Sequence, residues 1–352
     1  MKTVFDGIRA ARVTTPRLTA GTLERPAATD SVAATVVFVH GNVSSSLFWQ
    51  PTMLRLPASV RAIAVDLRGF GDSDTLPVDA TRGLRDFADD VWSVVDALEL
   101  GPVHLVGWSM GGGVVLQQLL DRPETVASAT LVGPVSPYGF GGTDAAGRRL
   151  TADDAGVGGQ AANPDFVARL AAGDTSDEAP GSPRQVYRAT YVAPGHQDAH
   201  EDVWVASMLS TKVGTDNYPG DGAASPNWPG FAAGTRGVLN TMAPQYFDVS
   251  GIDALAVKPP ILWVHGELDA IVGDATFFDV NMLGKAGVIP GWPGEDVAPP
   301  QPMIAQTRQV LERYRDAGGA FREVLIAGAG HGPMLDHPAE FDEALHAHLA
   351  GG

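Results

Sequence analysis

Six short blocks of the chain are apolar almost without interruption: ATVVFVHG (34–41), RAIAVDL (61–67), VHLVG (103–107), ASATLVG (127–133), PILWVHG (260–266) and REVLIAG (322–328). Runs of this length with no polar alternation predict strands covered on both faces, as in a parallel sheet. Stripes of helical period lie between them. In 81–100 the residues Leu84, Phe87, Val91, Val94, Val95 and Leu98 share one face. In 302–318 the same holds for Met303, Ile304, Thr307, Val310, Leu311 and Tyr314. The stretch 337–352 opens with Pro338 and closes on glycine, the polarity expected of a helix. At the start, MKTVFDGIRAARVTT scatters its charges and predicts a first strand rather than a leader peptide. Strands alternating with helices predict an α/β fold with a mainly parallel sheet.

The alternation stops between Pro134 and Val257. Here Asn163 before Pro164, Ser182 before Pro183, and Asp198 three residues before Glu201 each mark a helix start. A structureless loop of this length does not fit a compact domain. The expected organisation is therefore a core of residues 1–133 and 258–352, with residues 134–257 as a helical insertion over one end of the sheet. A Pro/Gly-rich stretch, 284–302, predicts a long surface loop.

Composition narrows the chemistry. None of the 352 residues is cysteine, so disulfides, thiolate metal sites and cysteine nucleophiles are excluded. Lys and Arg number 24 against 41 Asp and Glu, a net charge of −17, which opposes binding to nucleic acid or to anionic membranes. No apolar run reaches the length of a membrane span. The expectation is a soluble, cytoplasmic protein.

One motif then stands out. Gly107-Trp108-Ser109-Met110-Gly111 follows the block VHLVG directly and precedes the helical pattern of Val114, Val115, Leu116 and Leu119. A G-x-S-x-G between strand and helix holds its serine in a strained turn with the hydroxyl raised above the sheet. Gly112 and Gly113 are expected to let the helix lie close to the sheet. Such a serine needs a base, an acid that orients the base, and donors for an oxyanion. The expected base is His331, in the Gly-rich turn after REVLI; His40, His104, His265, His337, His346 and His348 read as structural. The expected acid is Asp269, three residues past a strand, with Asp274, Glu267 and Asp253 as rivals. The expected donors are the backbone N–H of Met110 and that of Asn42 or its neighbour Val43.

These segments resemble the α/β-hydrolase superfamily: HGN at 40–42, DLRGFGDSD at 66–74, GWSMGG at 107–112, GELDAIV at 266–272 and GAGHGPMLDHP at 328–338, in the order nucleophile, acid, histidine. The resemblance implies an eight-stranded, mostly parallel sheet with helices on both faces and a lid inserted after the sixth strand, where the alternation stops. HGNVSSS with GWSMGG is similar to the branch of small esterases, lactonases and carbon–carbon bond hydrolases. The branches with an aspartate nucleophile are excluded by Ser109. The lid is longer than in a minimal member, and 284–302 is an extra insertion.

The function expected is a serine hydrolase acting on an uncharged, fairly apolar ester or lactone, without cofactor or metal. Its expected partner is a small-molecule substrate, with a homodimer allowed for. Val43, Trp108, Trp204, Trp228 and Phe231 are candidates for the substrate pocket, although lid aromatics equally suit a lid core. His196 and His200 flank Asp198 in HQDAHED, but a helix starting at Asp198 leaves the pair on no common face, so no metal site is expected. A carbon–carbon bond hydrolase, a cofactor-free perhydrolase or haloperoxidase, and a ligand receptor with vestigial turnover remain as alternatives.

Overall fold

The computed structural model describes residues 2–29 and 31–351. Eight strands form one sheet: β1 (Arg9–Thr14), β2 (Thr19–Arg25), β3 (Ala34–Val39), β4 (Val60–Val65), β5 (Val103–Trp108), β6 (Val126–Val132) and, after four short strands, β11 (Ile261–Gly266) and β12 (Phe321–Ile326). Their order is β1-β2-β4-β3-β5-β6-β11-β12. The β1/β2 and β2/β4 pairs are antiparallel and every later pair is parallel. The six apolar blocks are the six parallel strands. β3 shows the reason: Val36, Val37, Phe38 and Val39 are all fully buried, because helices cover both faces.

The helices are α1 (Gln50–Arg55), α2 (Arg85–Ala97), α3 (Met110–Asp121), α4 (Pro164–Ala172), α5 (Pro183–Val186), α6 (Glu201–Leu209), α7 (Val280–Lys285), α8 (Met303–Asp316), α9 (Pro333–Asp336) and α10 (Pro338–Leu349). α2 packs on α3, and α1 packs on α10 beneath the other face. β2 carries no apolar block. A polar loop covers its small and polar residues instead, and a Cβ on Gly21 would lie 2.7 Å from Asp66 Oδ2 and 2.9 Å from Asp72.

The segment between β6 and β11 holds α4, α5 continued by a π turn (Tyr187–Tyr191), and α6. It also contains the short strands β7 (Val213–Gly214), β8 (Tyr218–Pro219), β9 (Gly222–Ala224) and β10 (Phe231–Ala233), paired β7 with β8 and β9 with β10. Asn163 and Ser182 cap α4 and α5 as expected. Asp198 does not cap α6, which starts at Glu201 with His200 before it. Its carboxylate instead accepts the Tyr187 hydroxyl at 2.9 Å and Trp204 Nε1 at 2.7 Å, while Glu201 pairs with Arg184 and Arg188. Two side-chain donors take Asp198 Oδ2, and Oδ1 accepts His200 N–H at 2.8 Å, one residue short of the helix. The segment closes onto loops at the C-terminal ends of the strands: Ser207 Oγ meets Ser45 Oγ at 2.6 Å, and Lys212 N–H donates to Gly69 O at 2.8 Å. Tyr187, Tyr191, Trp204 and Met208 belong to the same buried apolar cluster as the sheet.

α8 is preceded by Pro302, which offers no side-chain cap. Asp274, far back in the chain, accepts from Ile304 N–H at 2.8 Å and Ala305 N–H at 3.0 Å instead. Asp274→Ala is expected to cost about 1 kcal/mol, the usual loss for a helix cap, read as a lower urea midpoint with unchanged slope.

Candidate active site

Ser109 alone makes the turn from β5 to α3, with φ 58° and ψ −122°. A non-glycine residue held there stores strain and persists only where its surroundings over-determine it. Two glycines supply the space. A Cβ on Gly107 would stand 2.2 Å from Gly111 O, and one on Gly111 would stand 2.4 Å from His40 O. Backbone bonds then hold the turn: Ser109 N–H donates to Val132 O at 2.9 Å, and Ser109 O accepts from Gly112 N–H at 2.9 Å and Val135 N–H at 3.1 Å. Gly112 faces Pro134 and Gly113 faces Val135 and Leu84, so their close approach is to these residues rather than to the sheet. Met110 opens α3, and its N–H has no acceptor within the helix.

His331 lies in the turn between β12 and α9, and Asp269 follows β11. His331 Nδ1 meets Asp269 Oδ2 at 2.8 Å, and both side chains are buried. Asp269 Oδ1 accepts from the N–H groups of Ile271 at 2.8 Å and Val272 at 2.9 Å, so the carboxylate cannot turn. With Nδ1–H given to the carboxylate, Nε2 keeps its lone pair. Gly133, directly after β6, lies against this pair: a Cβ there would lie 3.1 Å from Asp269 Oδ2 and 3.2 Å from His331 Nδ1. Trp108 Nε1 donates to His331 O at 2.8 Å, and the two rings are 5.4 Å apart. His331 and Asp269 thus meet at the C-terminal rim of β11 and β12, and Trp108 ties them to the Ser109 turn at the same rim. Among the described contacts, Ser109 Oγ and His331 share no hydrogen bond; such bonds often form only when substrate is bound.

The turn after β3 presses on the serine, since a Cβ on Gly41 would lie 2.9 Å from Ser109 Cβ. His40 is fully buried beside it. Its Nε2 accepts Leu67 N–H at 3.0 Å and its Nδ1 lies 2.7 Å from Gly41 O. Burial pushes the His40 imidazole down to about 4, so it is a neutral structural group at neutral pH. Val43 takes φ 46°, an outlier for a β-branched residue.

The other expected residues fall elsewhere. Trp204 is buried, stacked on Phe48 at 5.0 Å with its Nε1 committed to Asp198. Trp228 Nε1 donates to Pro290 O at 2.8 Å, and its ring covers Gly284. Phe231 sits in β10. His265 bonds Glu323 and His104 bonds Ser128, both structurally. Of the rival acids, Asp274 caps α8, Glu267 accepts Gly328 N–H at 3.0 Å, and Asp253 lies in a 3₁₀ turn. Two residues were missed from sequence. Asp336 Oδ2 accepts Gly330 N–H at 2.8 Å and Ala193 N–H at 2.7 Å, tying the histidine turn to the inserted segment. Tyr191 reaches the 42–43 turn from that segment. Tyr191 carries no motif, and Asp336 lies within 328–338 with nothing in the sequence to single it out from that segment.

The model of the alpha/beta hydrolase fold matches residues 34–179, a stretch that includes Ser109 and ends before Asp269 and His331. The carboxylesterase YbfK of Bacillus subtilis is 33% identical over 107 residues, 30% of this chain and 36% of that protein. The 2-hydroxymuconate semialdehyde hydrolase of Pseudomonas sp. strain CF600 is 37% identical over 101 residues, 28% of this chain and 35% of that protein. The chain thus spans about a third of the length of the curated relatives it matches. The crystal structure of the carboxylesterase CesB (YbfK) of Bacillus subtilis superposes with a TM-score of 0.58 at 18% identity, covering 98% of this chain and 92% of that one. The strand order, the strained serine between β5 and α3, and these matches lead to one statement: the chain has the α/β-hydrolase fold.

Proposed function

We propose that the protein is a serine hydrolase that cleaves a carboxylic ester or lactone of a fairly apolar small molecule. The observation that carries this reading is the strained Ser109 turn standing beside the His331–Asp269 pair. Ser109 Oγ attacks the substrate carbonyl and gives its proton to His331 Nε2. Asp269, fixed by two backbone N–H groups, holds the imidazole in the required tautomer and stabilises the imidazolium. The developing oxyanion is bound by Met110 N–H and by an N–H of the Asn42–Val43 turn. His331 then returns the proton to the leaving alcohol. Water, activated by the same imidazole, releases the acyl group.

The proposed substrate is uncharged because the protein carries −17 and because the rings of Phe48, Trp108 and Tyr191 pack beside His331. Residues 134–257 serve as the lid in this reading. A second reading places the same groups on a carbon–carbon bond, and the likeness to the 2-hydroxymuconate semialdehyde hydrolase favours it. Products from a dienoate substrate separate the two.

Two variants test the proposal. Ser109→Ala is expected to abolish ester turnover and labelling by a fluorophosphonate, with an unchanged circular dichroism spectrum; retained turnover refutes it. Asp269→Asn keeps the shape but offers the wrong partner to Nδ1–H, and kcat is expected to fall by about ten-thousand-fold. Asp274→Ala leaves kcat unchanged if Asp269 is the acid.

A further inference from the structure

A peptide plane carries its C=O and the following N–H on opposite edges, so an N–H is aimed by holding the carbonyl behind it. Two such planes make up the turn against Ser109. The first joins Gly41 C=O to Asn42 N–H. Its carbonyl accepts Ser44 Oγ at 2.8 Å and lies 2.7 Å from His40 Nδ1, both local groups. The second joins Asn42 C=O to Val43 N–H, and nothing in its own loop holds it. The Tyr191 hydroxyl does so, lying 3.1 Å from Asn42 O and 3.0 Å from Val43 O. A single proton shared between two carbonyls turns both the same way, at a valine whose φ of 46° opposes its side chain.

Tyr191 is itself held. It ends the π turn Tyr187–Tyr191, a form of helix frequent at functional sites. Its backbone oxygen accepts Gly332 N–H at 2.7 Å, one residue past His331. Its ring stands edge-on to Trp108 at 5.4 Å and to His331 at 6.4 Å. Burial raises the phenol well above its usual range, so it remains a donor at every working pH.

We propose that Tyr191 is a positioning residue for the reaction: from the inserted segment it turns the Asn42–Val43 peptide so that its N–H faces the oxyanion, making that segment part of the catalytic apparatus. This rests on the Asn42–Val43 turn being an oxyanion donor, as read above. It also gives the inserted segment a role besides shaping a pocket, because unseating Tyr191 frees the donor plane.

The test compares the wild type, Tyr191→Phe, Tyr187→Phe and Ser109→Ala on a p-nitrophenyl ester, with inhibition by an aryl trifluoromethyl ketone, which forms a tetrahedral adduct. Tyr187 supplies the control, since its hydroxyl is equally committed, to Asp198 at 2.9 Å, but does not bond the turn. Tyr191→Phe is expected to lower kcat about tenfold, less than outright loss of an oxyanion donor, with KM within about twofold. Ketone inhibition is expected to weaken by the same factor. Tyr187→Phe is expected to lower the melting temperature and leave kcat near wild type. A Tyr191→Phe enzyme with wild-type kcat and ketone inhibition, while Ser109→Ala is dead, overturns the role of Tyr191 and leaves the hydrolase reading standing. Equal losses in both tyrosine variants also overturn it, by showing general loosening. A wild type without Ser109-dependent turnover overturns the hydrolase reading itself.

Discussion

Ser109 occupies its turn only because two stretches of backbone touch with no side chain between them. The end of β5 and the start of α3 approach through Gly107 and Gly111, and α3 rests on the carbonyls that end β3. Any Cβ at these positions would drive the helix off the sheet, and the serine would relax into an ordinary conformation. The strain at one residue is thus sustained by contacts at several others, each fixed by the parallel pairing of β3, β5 and β6. The rest of the rim is arranged around this point, because parallel strands bring all their C-terminal loops to the same edge.

Local and imported groups divide the work at that edge. His40 and Ser44 steady the turn after β3 from within, and the carboxylate of Asp269 is held by the amides of its own loop. The inserted segment supplies what the loops lack. Through Tyr191 and Ala193 it contacts both the 42–43 turn and the residues flanking His331. A segment that looks like an appendage in chain order is, in space, a brace between two loops of the core.

What could be read from sequence follows from how local each signal is. Five of the six parallel strands were legible because burial on both faces leaves an unbroken apolar run, while β12, at the sheet edge and half exposed, showed only the weaker run VLI. The Ser109 turn was legible because strand, glycine spacing and helix lie within a dozen residues. β2 was not legible, since its buried positions are mostly small or polar and a polar loop, Asp66 and Asp72, lies against them. Asp198 carried the pattern of a cap, but Tyr187 and Trp204 claimed its carboxylate. Trp228 looked like a lid aromatic and packs instead on the 284–292 stretch, a contact between two insertions that no pattern in either one announces. Tyr191 had no signal, because what distinguishes it is the direction of a hydroxyl toward residues far away in the chain.

The bond from Trp108 Nε1 to His331 O has a mechanical consequence. In the sheet, β5 and β12 are separated by β6 and β11, three inter-strand steps, or about 14 Å at the usual spacing. Each step carries its own twist, and small fluctuations in it would accumulate from one strand to the next. The turn after β12 carries His331 back over the rim beside Gly133, and there the indole joins the residue next to Ser109 directly to the backbone of His331. A direct bond therefore ties the His331 turn to the end of β5, a path between the two that does not run through the intervening strands.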